Sequence, residues 1–253
     1  MKPTLFELQS TESTHSLCAA LGPRLEGELL VLAGVQTAGR GRRGRAWVST
    51  KGNLHASWLT SYPALALPGA PSLAGLALAT LLESEYGLAC QVKWPNDVLV
   101  DEQKLAGILC ASAGGRLLVS LGVNLVEPQA EGNPIPAANE VSGSGALRPC
   151  WLGQFGLTPS PLDLALGFLA RFSELAELAL REGRFPVELW NRHWGHLGAL
   201  ACASTPGGPV RGLLRGVDAR GALLLERDDG TLSTITCDEV IHLRREQGHA
   251  AGH

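Results

Sequence analysis

Two short stretches of this chain carry residues whose types and spacing suit chemistry. The first, Q-T-A-G-R-G-R-R-G-R-A-W from Gln36 to Trp47, holds four of the 21 Lys and Arg residues, Arg40, Arg42, Arg43 and Arg45, with Gly39, Gly41 and Gly44 between them. A solvated basic face has no use for those glycines. A loop whose backbone must turn sharply and come close to a bound group does. Guanidinium forks converging there match oxygens that carry negative charge, so the run reads as an anion cradle. In the second stretch, K-W-P-N-D (93–97) precedes K-L-A-G (104–107): Lys104 opens an apolar run, and Gly107 stands where a side chain would obstruct a ligand or another backbone.

Arg/Gly runs also occur as nucleic-acid tails and solubilising loops. Here apolar E-L-L-V-L-A-G-V (28–35) leads in and N-L-H-A-S-W-L (53–59) leads out, which sets the cradle between two strands of an ordered domain. The formal charge of −3 argues against a general nucleic-acid binder, so the basic loop is a local exception with a small target. At 253 residues the chain can bury a full core in one large domain or a large and a small one. No signal core and no bilayer-length apolar run is present, and the expected location is cytoplasmic. The six cysteines lie in apolar surroundings without a C-x-x-C pair, as buried thiols do. His193 and His196 have no evident third partner for a metal.

The elements that must position these residues follow from pattern. Residues 11–22 suggest a hydroxyl-capped helix stopped by Gly22. Leu73, Leu76, Ala77, Leu81 and Leu82 recur at helical spacing up to Gly87. Trp94-Pro95-Asn96-Asp97 is a fixed bend at a strand junction, because Pro95 cannot donate to a ladder. The runs 105–111 and 117–126 form a hairpin about the Ala113–Arg116 turn, and residues 127–148 read as a long loop. Ser160-Pro161-Leu162-Asp163 starts a helix that ends at Gly183. From about residue 198, short β-like runs at 210–217, 222–227, 231–236 and 240–243 indicate a small antiparallel barrel or sheet, and 246–253 reads as a disordered tail.

In wording and order, G-R-G-R-R-G-R, K-W-P-N-D, K-L-A-G-I-L and the later G-V-N (122–124) resemble the biotin protein ligases, from about Ser13 to Arg244. The resemblance implies an α+β fold: residues 1–197 a biotin- and ATP-binding catalytic domain of mixed β-sheet with flanking helices, related to class II aminoacyl-tRNA synthetases and lipoate ligases, and 198–245 a small SH3-like β-barrel. It also implies a two-step reaction, in which biotin and ATP form biotinyl-5′-adenylate and the acyl group then passes to a lysine of a biotin carboxyl carrier domain, typically of acetyl-CoA carboxylase. Two anions that repel must meet there, and charge grows on the phosphoryl oxygens as the bond forms.

By motif position, Lys104, Arg42 and Arg40 would be catalytic. Ser13, Thr14, His15, Gln36, Gly39, Arg40, Gly41, Arg42, Lys104 and Gly107 would bind biotin, the first four meeting its neutral ureido ring. The nucleotide would fall to Arg42, Arg45, Trp47, Asn96, Asp97, Lys104, Asn124 and Arg244, with Mg2+ on the phosphates and no dedicated protein cage. Trp47 could equally be packing, and Asn124 could equally make a structural hydrogen bond. The family reads D-S-T-N where this chain has Glu12-Ser13-Thr14-His15, exchanging a carboxamide for an imidazole. Too few residues precede Ser13 for a DNA-binding domain, so no DNA and no membrane is expected as partner. Some family members pair as homodimers through the sheet edge and others are monomers. Two rival readings use the same motifs: a lipoate protein ligase, and a non-catalytic binder of biotin or its adenylate.

Overall fold

A computed structural model describes residues 2–67, 69–127 and 147–245, so most of the loop expected at 127–148 and the whole 246–253 tail lie outside the described residues. The chain opens with strand β1 (Thr4–Thr11), followed by helix α1 (Thr14–Leu21), β2 (Leu29–Gln36) and β3 (Leu54–Pro63). Helix α2 (Ala70–Tyr86) leads to β4 (Gln91–Lys93), β5 (Asp97–Val100), β6 (Gln103–Ala113) and β7 (Arg116–Val123). Helices α3 (Pro161–Glu182) and α4 (Val187–His193) then precede β8 (Leu200–Thr205), β9 (Gly208–Val217), β10 (Leu223–Glu226), β11 (Leu232–Ile235) and β12 (His242–Arg245).

Strands β1 to β7 make one mixed sheet in the order β1-β2-β3-β7-β6-β5-β4, with β1 and β2 parallel and the other neighbours antiparallel. Period-two alternation divides its side chains between two faces. Leu30, Leu32, Ala56, Trp58, Val119 and Leu121 face the main core with α2 and α3. Leu29, Val31, Leu59 and Leu118 face the other way, against Cys18 of α1. In the main core Trp58 meets Phe172 of α3 edge-on at 5.7 Å, and each such fully buried side chain stabilises the fold by ~1.5–3 kcal/mol.

The second sheet, β11-β10-β9-β8-β12, is antiparallel throughout and shares the main core through Leu214, Val217, Leu223, Leu225 and Ile235. Trp94 Nε1 donates to Gly221 O at 3.0 Å, tying the bend between β4 and β5 to this sheet.

The helix caps follow the sequence. Ser160 Oγ accepts from Asp163 N at 3.0 Å with Pro161 in the first turn, and Gly87 and Gly183 close α2 and α3 at φ 65°. Gly22 differs from expectation. Its φ of −54° is right-handed, and the chain tightens into a 3-10 turn, Gly22–Arg24, whose Pro23 ends the helix. β1 and β8 were not foreseen as strands. The six cysteines are free: Cys18, Cys90 and Cys150 are buried and the rest half-buried. Burial pushes the Cys90 thiol up to about 12. His193 bonds Leu189 and Glu83 while His196 lies near Glu102, and among the described residues no cluster of three or more His, Cys, Asp and Glu could hold a metal.

Candidate active site

The face of the large sheet opposite α2 and α3 is only partly covered by α1, and the segment between β2 and β3 folds over the remainder. That segment is the basic loop. It closes on itself through Gly41 N to Arg45 O at 2.7 Å and Trp47 N to Gly39 O at 2.9 Å, and Gly44, at φ 74°, makes the turn. Beneath it lies a cavity of about 700 Å³, open to solvent.

Lys104 reaches this cavity because β6 carries a bulge. Asp97 pairs with Gly107 and Val98 with Ala106, but Leu99 pairs with Lys104, so Leu105 is the extra residue. Plain alternation would put Lys104 and Gly107 on opposite faces. The extra residue shifts the phase, and both line the cavity with Arg40, Arg42 and Arg45. Lys104 Nζ lies 2.7 Å from Asp97 Oδ1 and 5.5 Å from the centre of the Trp47 ring. The Trp47 indole lies over the cross-strand pair Gly107 and Gly122, where a β-carbon would come within 2.9 Å and 2.4 Å of the ring. Two glycines thus make a flat floor for one aromatic ring.

On the α1 side the wall is neutral. Thr14 N and Oγ1 both donate to Gln36 Oε1, at 2.9 and 3.0 Å, and Gln36 Nε2 donates to Ser49 Oγ at 3.1 Å. A hydroxyl has one proton, which fixes the rest of the chain. Having given its proton to Gln36, Thr14 accepts from Ser57 at 2.9 Å, Ser57 accepts from Ser120 at 2.8 Å, and Ser120 accepts from His15 Nδ1–H at 2.8 Å. Burial, assisted by the Arg40 guanidinium, lowers the His15 pKa, so its ring is neutral with Nε2 as the acceptor. Ser13 Oγ caps α1 by accepting from Ser16 N at 3.4 Å and also lines the cavity.

A second cavity shares Arg42, Arg45, Asn96, Asp97 and Lys104 with the first and adds Lys93, His242 and Arg244. Burial lowers the Lys93 pKa, opposed by Asp97, so an anion arriving there would meet poorly solvated positive charge. Asn96 donates to Ile108 O at 2.9 Å and accepts from Arg42 Nη1 at 3.4 Å.

Of the residues singled out from sequence, Ser13, Thr14, His15, Gln36, Arg40, Gly41, Arg42, Arg45, Trp47, Asn96, Asp97, Lys104 and Gly107 line the first cavity, and Arg244 lines the second. Gly39 stands at the loop's base. Asn124 lies behind the cavity wall, its Nδ2 donating to Lys104 O at 3.3 Å and Cys150 O at 3.1 Å, so it holds the backbone that carries Lys104. Sequence reading missed Ser57, Ser120, Gly122 as floor, and Lys93. Polar residues inside apolar strands were the available signal for the two serines.

Cations over this cavity, beside a wall of neutral donors and acceptors, define a site for an anion with a polar, uncharged part. Comparison with known proteins agrees. Residues 6–126 match the profile of the biotin/lipoate A/B protein ligase family, and 203–243 match the biotin protein ligase C terminal domain. A biotin--[acetyl-CoA-carboxylase] ligase of Paracoccus denitrificans is 36% identical over 239 residues, covering 88% of this chain and 94% of the relative. The bifunctional ligase/repressor BirA of Salmonella typhimurium is 31% identical over 86% of this chain and 68% of its own. The structure of the Aquifex aeolicus biotin protein ligase in complex with biotin and ATP superposes with a TM-score of 0.78 at 25% identity, covering 96% of this chain and 99% of that one. The chain belongs to the biotin protein ligase family.

Proposed function

We propose that this chain is an ATP-dependent biotin protein ligase, activating biotin as biotinyl-5′-AMP and passing the acyl group to a lysine of the biotin carboxyl carrier domain of acetyl-CoA carboxylase. The observation that carries this reading is the meeting of Lys104 with Arg40 and Arg42 in one cavity, although they come from distant segments. The relative named for that activity and the neighbour solved with biotin and ATP support it. Residues 1–197 serve as the catalytic unit and 198–245 as the smaller one.

In the first step a carboxylate oxygen of biotin attacks the α-phosphorus, the bond to the bridging β-phosphate oxygen breaks, and pyrophosphate leaves with the electron pair. Lys104, Arg40 and Arg42 lower the repulsion between the two anions and stabilise charge growing on the phosphoryl oxygens. Lys93, Arg45 and Arg244 serve the leaving phosphates from the adjoining cavity. The Ser13, Thr14, His15 and Gln36 wall meets the ureido ring, and Trp47, seated on its glycine floor, presents its aromatic ring to the ligand. Mg2+ neutralises charge on the phosphates when bound. Asp97 is the one acidic side chain lining either cavity among the described residues, and a single carboxylate suits an ion that keeps waters and phosphate oxygens.

In the second step the neutral amine of the carrier lysine attacks the acyl carbon, the carbon–oxygen bond to the phosphate breaks, AMP leaves, and the amine's proton passes to solvent. A second copy of the chain, where one pairs, would meet the edge of the large sheet, whose outer strands are β1 and β4. The test is the mass of a carrier domain after incubation with the protein, ATP and Mg2+. With biotin, one lysine is expected to gain a biotinyl group. A lipoyl gain with lipoate alone would make this a lipoate ligase, and adenylate formed without transfer would make it a binder.

A further inference from the structure

Arg43 belongs to the basic loop yet lines neither cavity. Its backbone is left-handed, at φ 55° and ψ 39°, a conformation unfavourable for a residue with a β-carbon unless its surroundings hold it. The side chain supplies the hold. Arg43 Nε donates to Val240 O at 3.1 Å and Nη2 to Asp238 O at 2.6 Å, both in the turn that leads into β12 of the second sheet. Arg42 Nη2 donates to Cys237 O in the same turn and to Val240 O at 3.4 Å.

That turn is itself braced. The Glu239 carboxylate accepts from Thr236 N at 2.8 Å and from Thr236 Oγ1 at 2.9 Å, and Val240 N returns to Thr236 O at 3.3 Å. Its carbonyl oxygens at 237, 238 and 240 are thereby presented together to two guanidinium forks. A planar fork holds its donors in fixed directions that match two carbonyls, a pre-organisation that the freely rotating donors of an ammonium lack.

From this geometry we propose that Arg43 is a positioning residue that latches the basic loop to the Thr236–Val240 turn. The latch keeps the loop over the cavity while Arg42 exchanges its carbonyl partners for the phosphoryl oxygens of the bound intermediate. Without it, Arg42 would have to hold the loop and the ligand with one side chain. The second sheet therefore takes part in retaining the intermediate, through backbone carbonyls whose placement depends on Glu239. This inference rests on the ligase reading for its consequence, and on the two-sided hydrogen-bond geometry for the latch itself.

The test uses full-length Arg43→Gly, Arg43→Lys, Glu239→Ala and the Arg43→Gly/Glu239→Ala double variant. Arg43→Gly removes the fork while giving the backbone a residue at ease in the left-handed region, so loss of folding is not expected. In hydrogen exchange without ligand, Arg43→Gly and Glu239→Ala should each accelerate exchange in both 39–47 and 236–240, and Arg43→Lys should recover little. With biotin and ATP, label appearing on the lysines of an added bystander protein, per pyrophosphate released, should rise about tenfold in each single variant, as expected from losing charge-assisted hydrogen bonds. The double variant should rise no further, because both changes open one latch.

Pyrophosphate release itself should stay within about threefold of the parent, separating retention from chemistry. Unchanged exchange and leakage in Arg43→Gly, or effects that multiply in the double variant, would overturn the latch. A parent protein that releases no pyrophosphate would overturn the ligase reading instead, and the exchange data alone would then decide the latch.

Discussion

Lys104→Ala is expected to fold as the parent does and to lose about a hundred- to a thousandfold in the rate of pyrophosphate release, the usual effect of deleting a donor that acts on charge developing in the transition state. The side chain is 28% exposed and its ammonium lies over the Trp47 ring rather than in the core, so its removal opens no large void. Its loss leaves Asp97 without its ion-pair partner, but Asp97 is 19% exposed and water can replace the ammonium. For a half-buried pair beside an open cavity the stability change should fall between the ~1 kcal/mol of an exposed pair and the ~3–5 kcal/mol of a fully buried one. Thermal unfolding checks the fold, and single-turnover pyrophosphate release checks the chemistry. A parental rate would remove Lys104 from the reaction.

Arg42→Gly should act differently. Arg42 lines both cavities, is held by Asn96 on one side and by the carbonyls of 237 and 240 on the other, and remains charged although burial lowers its pKa. It is placed to grip the mixed anhydride after pyrophosphate has left. Its removal should release free adenylate and raise labelling of bystander lysines by about ten- to a hundredfold, the scale of losing a charged, bidentate contact to phosphate. Mass spectrometry of a bystander protein incubated with the variant, biotin and ATP reads this directly. No increase would refute the retention role.

These two expectations depend on features legible to different degrees in the sequence. The glycines threaded through the arginines marked a loop that closes on itself, and Ser160, Gly87 and Gly183 marked helix ends, because caps and turns are decided by a few neighbouring residues. Lys104 could be named from its motif, but its route into the cavity could not. A bulge at Leu105 is a property of pairing between two strands, and neither strand alone announces it. Ser57 and Ser120 likewise acquire meaning only when β3 and β7 lie side by side and α1 brings Thr14 and His15 to them. β1 was overlooked because its alternation is weak and mostly exposed: it earns its place by pairing with the apolar β2. Arg43 is the clearest case. Sequence set it among three similar arginines, and only the approach of a turn nearly 200 residues away gives it a separate task.

The most direct measurement is a crystal structure of the protein with a non-hydrolysable biotinyl-adenylate analogue. The account predicts that Lys104 Nζ leaves Asp97, and Arg42 leaves the carbonyls of 237 and 240, for positions about 3 Å from the oxygens at the acyl–phosphate junction. An analogue bound with those oxygens away from both side chains, Lys104 still on Asp97 and Arg42 still on the turn, would contradict it.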